Sequence, residues 1–256
     1  MSIYAIGDLH LSFNTDKPMD IFGIAWENYE EKLKENWIKK IEPEDVVILP
    51  GDFSWAMKLE DTKKDFEYLN SLPGKKILSK GNHDYWWKTV KSMQEFIKEC
   101  NFTNIEFLNN NAFIYENNII IGTRGWAFTE SENSIKMHNR ETIRLENSIQ
   151  YAIQLVKNKN SKKEEMSENL DNIKNENFVE NYRIICALHY PPITKTMIEN
   201  NIQSEYINIM KKYNIQTCIY GHLHGKSHNE AVEGIIEGVN LQLVSSDYLK
   251  FDPILI

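Results

Sequence analysis

Short apolar segments rich in β-branched residues recur along the chain, and stretches with helical periodicity separate many of them. The apolar segments predict strands at residues 3–6, 46–49, 76–78, 119–121, 184–188, 217–220 and 241–244. The periodic stretches predict helices at residues 26–41, 61–72, 86–99, 140–157 and 204–213. Strands that alternate with helices indicate an α/β protein.

Two stretches, 105–121 and 231–244, have the pattern of consecutive strands joined by turns such as Asn117-Asn118 and Glu237-Gly238. The sheet content should therefore be mixed. The simplest organisation is a single domain over residues 1–256 with a polar helix and loop insertion around 139–180. Within it, the Asn-, Lys- and Glu-rich segment 157–180 predicts a solvated helix end and loop, with a lid or a partner-binding arm as alternatives.

The net charge of −8 argues against non-specific binding of nucleic acid or of an anionic membrane, although a local basic patch is compatible with it. No apolar run approaches the length of a membrane span. The first residues enter a strand pattern at once, without the features of a signal peptide, so we expect a cytoplasmic location. Cys100, Cys186 and Cys218 lack metal-ligand spacing and are predicted to be reduced thiols.

Ionisable and amide residues follow five of the predicted strands directly. They are Asp8 and His10, then Asp52, then Asn82, His83 and Asp84, then His189, and finally His222 and His224. Because ligand crevices in α/β sheets lie outside the carboxyl ends of the strands, these loops should converge. Residues two apart in extended backbone point to the same side, so Asp8 with His10, and His222 with His224, can share a site.

The neighbouring glycines Gly7, Gly51, Gly81 and Gly221 should allow tight turns and a close approach of the backbone. Carboxylate, imidazole and amide ligands together suit manganese, iron or zinc better than calcium. The sequence therefore predicts a site for a divalent transition metal at these strand ends.

In chain order the motifs DxH, GD, GNHD, a later His and GHxH, from Asp8 to His224, resemble those of the calcineurin-like metallophosphoesterases. The resemblance implies a four-layer α/β/β/α sandwich with two mixed β-sheets. It also implies two divalent metal ions, with manganese favoured and iron or zinc as alternatives. The first ion would be bound by Asp8, His10, Asp52 and His224, and the second by Asp52, Asn82, His189 and His222, so that Asp52 bridges them.

The same resemblance implies hydrolysis of a phosphomonoester or phosphodiester by a metal-bridging hydroxide. His83 would protonate the leaving alkoxide, and Asp84 would orient the imidazole of His83. An alternative interpretation makes Asp84 the N-cap of the following helix. The chain departs from the family's GDxxD motif because Trp55 occupies the later acidic position. Support for the metal ligands should then come from elsewhere, and Trp55 is a candidate to line the substrate pocket.

Two further residues are candidate substrate contacts. Arg124, in a glycine turn after a strand, is either a phosphate clamp or a surface arginine. Tyr85 begins an aromatic run that forms either a wall for a substrate ring or part of the core. His138 and His228 have no partner pattern and are predicted to be solvated or to cap helices.

The expected partner is a small phosphorylated substrate, and the sequence leaves the oligomeric state open. A nuclease or nucleotide phosphodiesterase that uses the same site is the alternative enzyme, because one fold can host many substrates. A non-catalytic metal-binding scaffold would require the loss of a ligand or of the acid, and every expected type of ligand is present.

Overall fold

The computed structural model describes residues 1–127, 129, 131–164 and 182–256. The strands are β1 (Ile3–Ala5), β2 (Val46–Pro50), β3 (Lys75–Ser79), β4 (Ile105–Leu108), β5 (Phe113–Tyr115), β6 (Asn118–Thr123), β7 (Arg183–Leu188), β8 (Thr217–Tyr220), β9 (Gly234–Ile236), β10 (Val239–Leu243) and β11 (Ile254–Leu255). The α-helices are α1 (Tyr29–Lys40), α2 (Lys63–Ser71), α3 (Val90–Glu99), α4 (Glu132–Glu164), α5 (Lys195–Glu199) and α6 (Glu205–Lys212). Short 3-10 helices lie at Met19–Phe22, Ile24–Trp26, Leu59–Thr62 and Gly225–Glu230.

The strands form two sheets, and each sheet contains both parallel and antiparallel pairs. The first has five strands in the order β11-β1-β2-β3-β4, and only β11 is antiparallel to its neighbour. The second has six strands in the order β5-β6-β7-β8-β10-β9, with antiparallel pairs at both edges. The predicted mixed sheets are confirmed, and so are the consecutive strands at 105–121 and 231–244.

Apolar side chains fill three layers and so define four layers of secondary structure. Alternation along β2 places Val47 and Leu49 in the cluster with helices α1 to α3, and Val46 and Ile48 in the cluster between the sheets. On the far side of the second sheet, helices α4 and α6 pack through a third cluster that includes Leu145. The predicted α/β/β/α sandwich is confirmed.

Several helices begin at residues other than those predicted. Helix α1 begins at Tyr29 because Asn28, with φ 49°, turns the chain out of a preceding 3-10 segment. Helix α3 begins only at Val90, where the side chain of Thr89 accepts a hydrogen bond from the Ser92 amide. Asp84 is therefore not the N-cap of this helix.

Helix α4 begins at Glu132, earlier than predicted, and packs on β6 with Leu145 and Ile149 buried. It extends through the first part of the 157–180 segment. The predicted loop in this segment, like its alternative as a lid or arm, falls mainly on residues 165–181, which lie outside the described residues.

Candidate metal centre

Loops from both sheets bring the predicted metal ligands together at one rim of the sandwich. Asp8 and His10 follow β1, Asp52 follows β2, Asn82 follows β3, His189 follows β7, and His222 and His224 follow β8. The two sheets are joined at this rim because the amide of His222 donates to both carboxylate oxygens of Asp8, at 3.0 and 3.1 Å. The predicted convergence of strand ends is confirmed.

One group of donor atoms consists of Asp8, His10 and His224, whose ligand atoms lie within 4.8 Å of one another. The Nε2 atoms of His10 and His224 are 3.2 Å apart, and Asp8 Oδ1 is 3.6 Å from His224 Nε2. Atoms that bind one transition-metal ion at about 2.0–2.2 Å each are roughly 3 to 3.6 Å apart. The spacing in this group therefore fits a shared cation.

A second group of donor atoms lies beside the first. Asn82 Oδ1 is 2.6 Å from His189 Nε2 and 2.8 Å from His222 Nδ1. Asp8, Asp52 and His189 also form a compact buried set. His189 directs its other ring nitrogen, Nδ1, to the carbonyl of Pro50 at 3.1 Å, which leaves Nε2 facing the ligand atoms.

Asp52 lies between the two groups. Its Oδ2 atom is 3.8 Å from His10 Nε2 in the first group and 3.5 Å from His189 Nε2 in the second. The other oxygen, Oδ1, accepts a hydrogen bond of 2.7 Å from the amide of His83. One carboxylate oxygen thus lies near an imidazole nitrogen of each group.

The backbone reaches these positions through left-handed turns. Asp8, His10, Asp52 and His222 have φ values of 56°, 48°, 49° and 74°. Non-glycine residues in this region cost about 1–2 kcal/mol each, so the fold maintains local strain at the site. The prediction from extended backbone was therefore wrong in its geometry, since Asp8 and His10 converge by turning rather than by alternating along a strand.

Two of the flanking glycines are required by close contact with carboxylates. A Cβ atom at Gly81 would lie 2.0 Å from Asp52 Oδ1, and one at Gly221 would lie 2.1 Å from Asp8 Oδ2. Real Cβ atoms essentially never approach other atoms so closely. The predicted close approach of the backbone is confirmed at both positions.

Burial perturbs the protonation of the cluster in a way that favours cation binding. Burial, together with the charge of Asp8, raises the pKa of Asp52 to about 8. Burial also lowers the pKa of His10 well below its usual value and that of His222 to about 3. The imidazoles of His10 and His222 are thus held neutral, as metal ligands must be. The raised pKa of Asp52 indicates that its buried carboxylate lacks a sufficient positive charge nearby. The donor set fits divalent ions.

Sequence reasoning missed Asp247, which lies just beyond β10. Its Oδ1 accepts a hydrogen bond of 2.9 Å from His224 Nδ1, and its Oδ2 accepts one of 3.0 Å from the Gly225 amide. Burial opposes a charged His224, but its hydrogen bonds to Asp247 and Asp8 outweigh this effect and raise the pKa of His224 to about 10. Its position in the sequence could have indicated Asp247, because Ser245, Ser246 and Asp247 are polar residues at the end of a sixth strand.

Asp84 does not hold the imidazole of His83 in any contact among the described residues. Its buried carboxylate accepts hydrogen bonds from the amides of Gly81 and Phe53, at 2.8 and 3.0 Å, and from the indole of Trp86 at 2.9 Å. The prediction that Asp84 orients the His83 ring is corrected on this point. The carboxylate instead ties the loop after β2 to the loop that carries Asn82.

Position 55 is Trp rather than an acidic residue, and part of the support for the donor loops comes instead from Asp65 on α2. This buried carboxylate accepts a hydrogen bond of 3.0 Å from the Phe13 amide and another from the hydroxyl of Ser54. It therefore fastens the loops after β1 and β2 to each other. No sequence motif marked it, because the contact forms only in the folded chain.

A cavity of about 550 Å³ opens beside the first donor group. Trp55 lines it together with Trp26 and His83, and we refer to it as the aromatic cavity. The ring of Trp55 stacks on His10 at 4.8 Å and lies 4.6 Å from the ring of His83. Tyr85 is 55% exposed, with its ring 6.3 Å from that of His83, and does not line this cavity.

The remaining candidates lie farther from the donor groups. Arg124 is largely buried, with Nη2 3.8 Å from Glu141, and it lines a different cavity. It is therefore not the surface arginine of the alternative interpretation. His138 is buried within α4, 3.3 Å from Glu205, so the solvated interpretation was wrong for this residue. His228 Nε2 is 3.2 Å from the carboxylate of Asp247.

Comparisons with known proteins identify the family and support the fold. The sequence profile of the family described as calcineurin-like phosphoesterase matches residues 1–226. A protein of unknown function from Aquifex aeolicus is similar in structure, with 18% identity, a TM-score of 0.50, and 99% of this chain and 95% of that chain covered. The phosphopantetheinyl hydrolase PptH from Mycobacterium tuberculosis is 14% identical, with a TM-score of 0.52 and coverage of 100% and 95%.

At these identities the structural likeness concerns the fold. No curated protein matches the chain at a significant level. Among the described residues, no helix is both long enough and apolar enough to cross a membrane.

Proposed function

The chain belongs to the calcineurin-like phosphoesterase family, and on that premise we propose that it hydrolyses a phosphoric ester with two divalent ions held at the two donor groups. The first ion would be held by Asp8, His10, Asp52 and His224, and the second by Asp52, Asn82, His189 and His222. The observation that carries this proposal is the position of Asp52 Oδ2, within 3.8 Å of an imidazole nitrogen of each group.

Manganese is the favoured metal, with iron or zinc as alternatives, since the donors are carboxylate, imidazole and amide oxygen. When bound, such a pair of ions generates a nucleophile from water at neutral pH and neutralises charge on the phosphoryl oxygens. The protein's own part is to hold these imidazole, carboxylate and amide groups at fixed positions, and Asp52 and His224 would each lose a proton when the ions bind. Asp247, Asp84 and Asp65 maintain those positions through the hydrogen bonds described above.

His83 is the proposed acid for the leaving group. Its amide is fixed by Asp52, and its half-buried ring lines the aromatic cavity next to Trp55. A ring nitrogen of His83 would donate a proton to the leaving oxygen as the ester bond breaks. Asp84 acts on this step as a positioning residue, because its carboxylate accepts a hydrogen bond from the amide of Gly81, two residues before His83.

The aromatic cavity is the proposed site for the leaving group. Its walls include the indoles of Trp26 and Trp55, and the ammonium of Lys17 lies 3.2 Å from the centre of the Trp55 ring. Aromatic walls of this kind favour a substrate with a ring or an apolar body. Tyr85, at the exposed side of His83, would contact only the outer part of a larger substrate.

Hydrolysis of p-nitrophenyl phosphate and bis-p-nitrophenyl phosphate tests the proposal directly. Protein freed of metal and reloaded with manganese should turn over at least one ester, and the preferred ester distinguishes a monoesterase from a diesterase. Asn82→Ala should lose turnover and bind fewer ions per chain. Asn208→Ala, an amide on the exposed side of α6, should keep both. Two bound ions without turnover of either ester would favour a non-catalytic scaffold.

A nuclease or nucleotide phosphodiesterase remains the alternative, and the ring-sized aromatic cavity suits a nucleobase. The net charge of −8 counts against a non-specific nuclease. Binding to duplex DNA at low and moderate salt separates a nuclease from an enzyme for small phosphorylated substrates. A nuclease should bind with an affinity that falls steeply as salt rises, whereas an enzyme for small phosphorylated substrates should not bind DNA.

A further inference from the structure

A second cavity, of about 350 Å³, lies at the carboxyl ends of β3, β4 and β6 and is bounded on one side by helix α4. Cationic side chains dominate its lining, which includes Lys80, Lys88, Arg124, Arg140 and Arg144 and a single carboxylate, Glu141. We refer to it as the basic cavity. In a chain with a net charge of −8, this concentration of positive charge runs against the overall balance.

Glu141 cannot neutralise this cluster, because its single carboxylate faces five cationic side chains and its oxygens already have close donors. The Thr123 hydroxyl donates to Oε2 at 2.5 Å, and Arg144 Nη1 donates to Oε1 at 2.7 Å. Arg124 and Arg140 lie farther off, at 3.8 and 3.6 Å from Oε1. One carboxylate therefore gathers three guanidinium groups, and most of their charge remains available to another anion.

Two further observations mark the cavity as open to a ligand. The Nε atom of Arg124 is fully buried and has no hydrogen-bond partner among the described residues. Lys80 and Lys88 form no ion pair within the part of the chain that the structure describes. A buried donor without an acceptor is costly, which favours a bound group that supplies one.

The basic cavity adjoins the metal centre through two shared loops. Lys80 is two residues before Asn82, and the carbonyl of Arg124 accepts hydrogen bonds from the amides of His189 and Tyr190, at 3.0 and 2.9 Å. The aromatic cavity touches the centre through different residues, His10, His83 and His224. The proposed centre therefore has an apolar cavity and a cationic cavity as separate neighbours.

We propose that the basic cavity binds a second anionic group, a phosphate, carried by the same substrate whose ester lies at the metal centre. This inference rests on the proposed function and narrows its substrate class to molecules with two separate phosphate groups. Arg124 would then clamp the second phosphate rather than the one being cleaved. Guanidinium groups suit this role because they bind phosphate oxygens with paired hydrogen bonds.

Calorimetry with pyrophosphate on metal-free protein tests the cavity without the metal centre. The wild-type protein should bind pyrophosphate, and Lys88→Gln and Arg144→Gln should each weaken binding by about tenfold, the loss expected for one charge-assisted contact. Lys88 is exposed, so its variant should fold even if Arg144→Gln is destabilised. The matched control is Lys136→Gln, on the same helix as Arg144 but outside the cavity, which should bind as the wild type does.

A second measurement asks whether one molecule spans both sites. Alkane bisphosphonates of increasing chain length should be compared with the matching monophosphonates on manganese-loaded protein. At least one bisphosphonate should bind about tenfold more tightly than its monophosphonate, and Lys88→Gln should remove that advantage.

The proposal would be overturned by absence of pyrophosphate binding, by an equal loss in Lys136→Gln, or by the absence of any bisphosphonate advantage. Pyrophosphate binding without that advantage would also overturn it, in favour of a separate site for free anions. Both measurements report binding. Failure of ester hydrolysis would therefore count against the proposed function and leave these results unchanged.

Discussion

Replacing Asp247 by Asn should weaken metal binding although Asp247 is not one of the proposed ligands. The side chain receives the His224 Nδ1 proton at 2.9 Å and the Gly225 amide at 3.0 Å, so it fixes both the ring orientation of His224 and its tautomer. With Nδ1 held as the donor, Nε2 faces His10 Nε2 at 3.2 Å and is available for the first ion. Asp247→Asn removes the negative charge and one acceptor oxygen but keeps the shape of the side chain.

Loss of an orienting partner of a metal-bound histidine typically costs about 10- to 100-fold in metal affinity, or about 1.4–2.7 kcal/mol. Asn retains one oxygen for His224 and should lie at the low end of that range. Ala retains none and should lie at the high end. The effect should concern one ion, since the second donor group has no described contact with Asp247.

The assay is competition for manganese with a chelator of known affinity, together with a count of the ions bound per chain. Asp252→Asn is the matched control, because Asp252 pairs with Lys40 at 2.7 Å on the half-exposed surface and has no contact with the donor groups among the described residues. Thermal unfolding of the metal-free variants verifies that they fold. Unchanged affinity for both ions in Asp247→Ala would refute the assignment of His224 to the first ion.

Further perturbations follow from the same geometry. Gly221→Ala should abolish binding of at least one ion and lower the melting temperature, since its Cβ would lie 2.1 Å from Asp8 Oδ2; ion counts and calorimetry measure both. The affinity of metal-free protein for manganese should rise about tenfold per pH unit between pH 8 and 9, because His224, with its pKa raised to about 10, must lose a proton before coordinating. Between pH 7 and 8 the rise should be steeper, because Asp52, with its pKa raised to about 8, must also lose a proton; titration at several pH values measures this. Trp55→Ala should raise KM for aryl esters several-fold more than for alkyl esters, because the indole lines the aromatic cavity; steady-state kinetics on a matched ester pair would contradict the cavity assignment if both values rose equally.

The order of strands and ligands was predictable because both depend on local pattern. A buried parallel strand such as β2 is a continuous apolar run, and Asp52 directly follows it. The chemistry at the ends of such runs can therefore be recognised from the order of residues alone. Helix ends were less accurate, since α3 begins after the Thr89 cap rather than at Trp86, where the periodic pattern predicted its start.

Residues that support the ligands were not predictable, because their partners are distant in the chain. Asp65 contacts Phe13 across 52 positions, and Asp84 holds Phe53 across 31. Nothing in the local sequence distinguishes Asp65 from the many carboxylates that face solvent, and the GNHD motif marked Asp84 without indicating its partners. A motif indicates the candidate metal ligands. The acidic residues that support the donor loops in place of an acid at position 55 can come from any element that the fold brings near. In this chain Asp65 and Asp84 hold the loops around the donor groups although position 55 is Trp, and the Trp55 side chain lines the aromatic cavity instead.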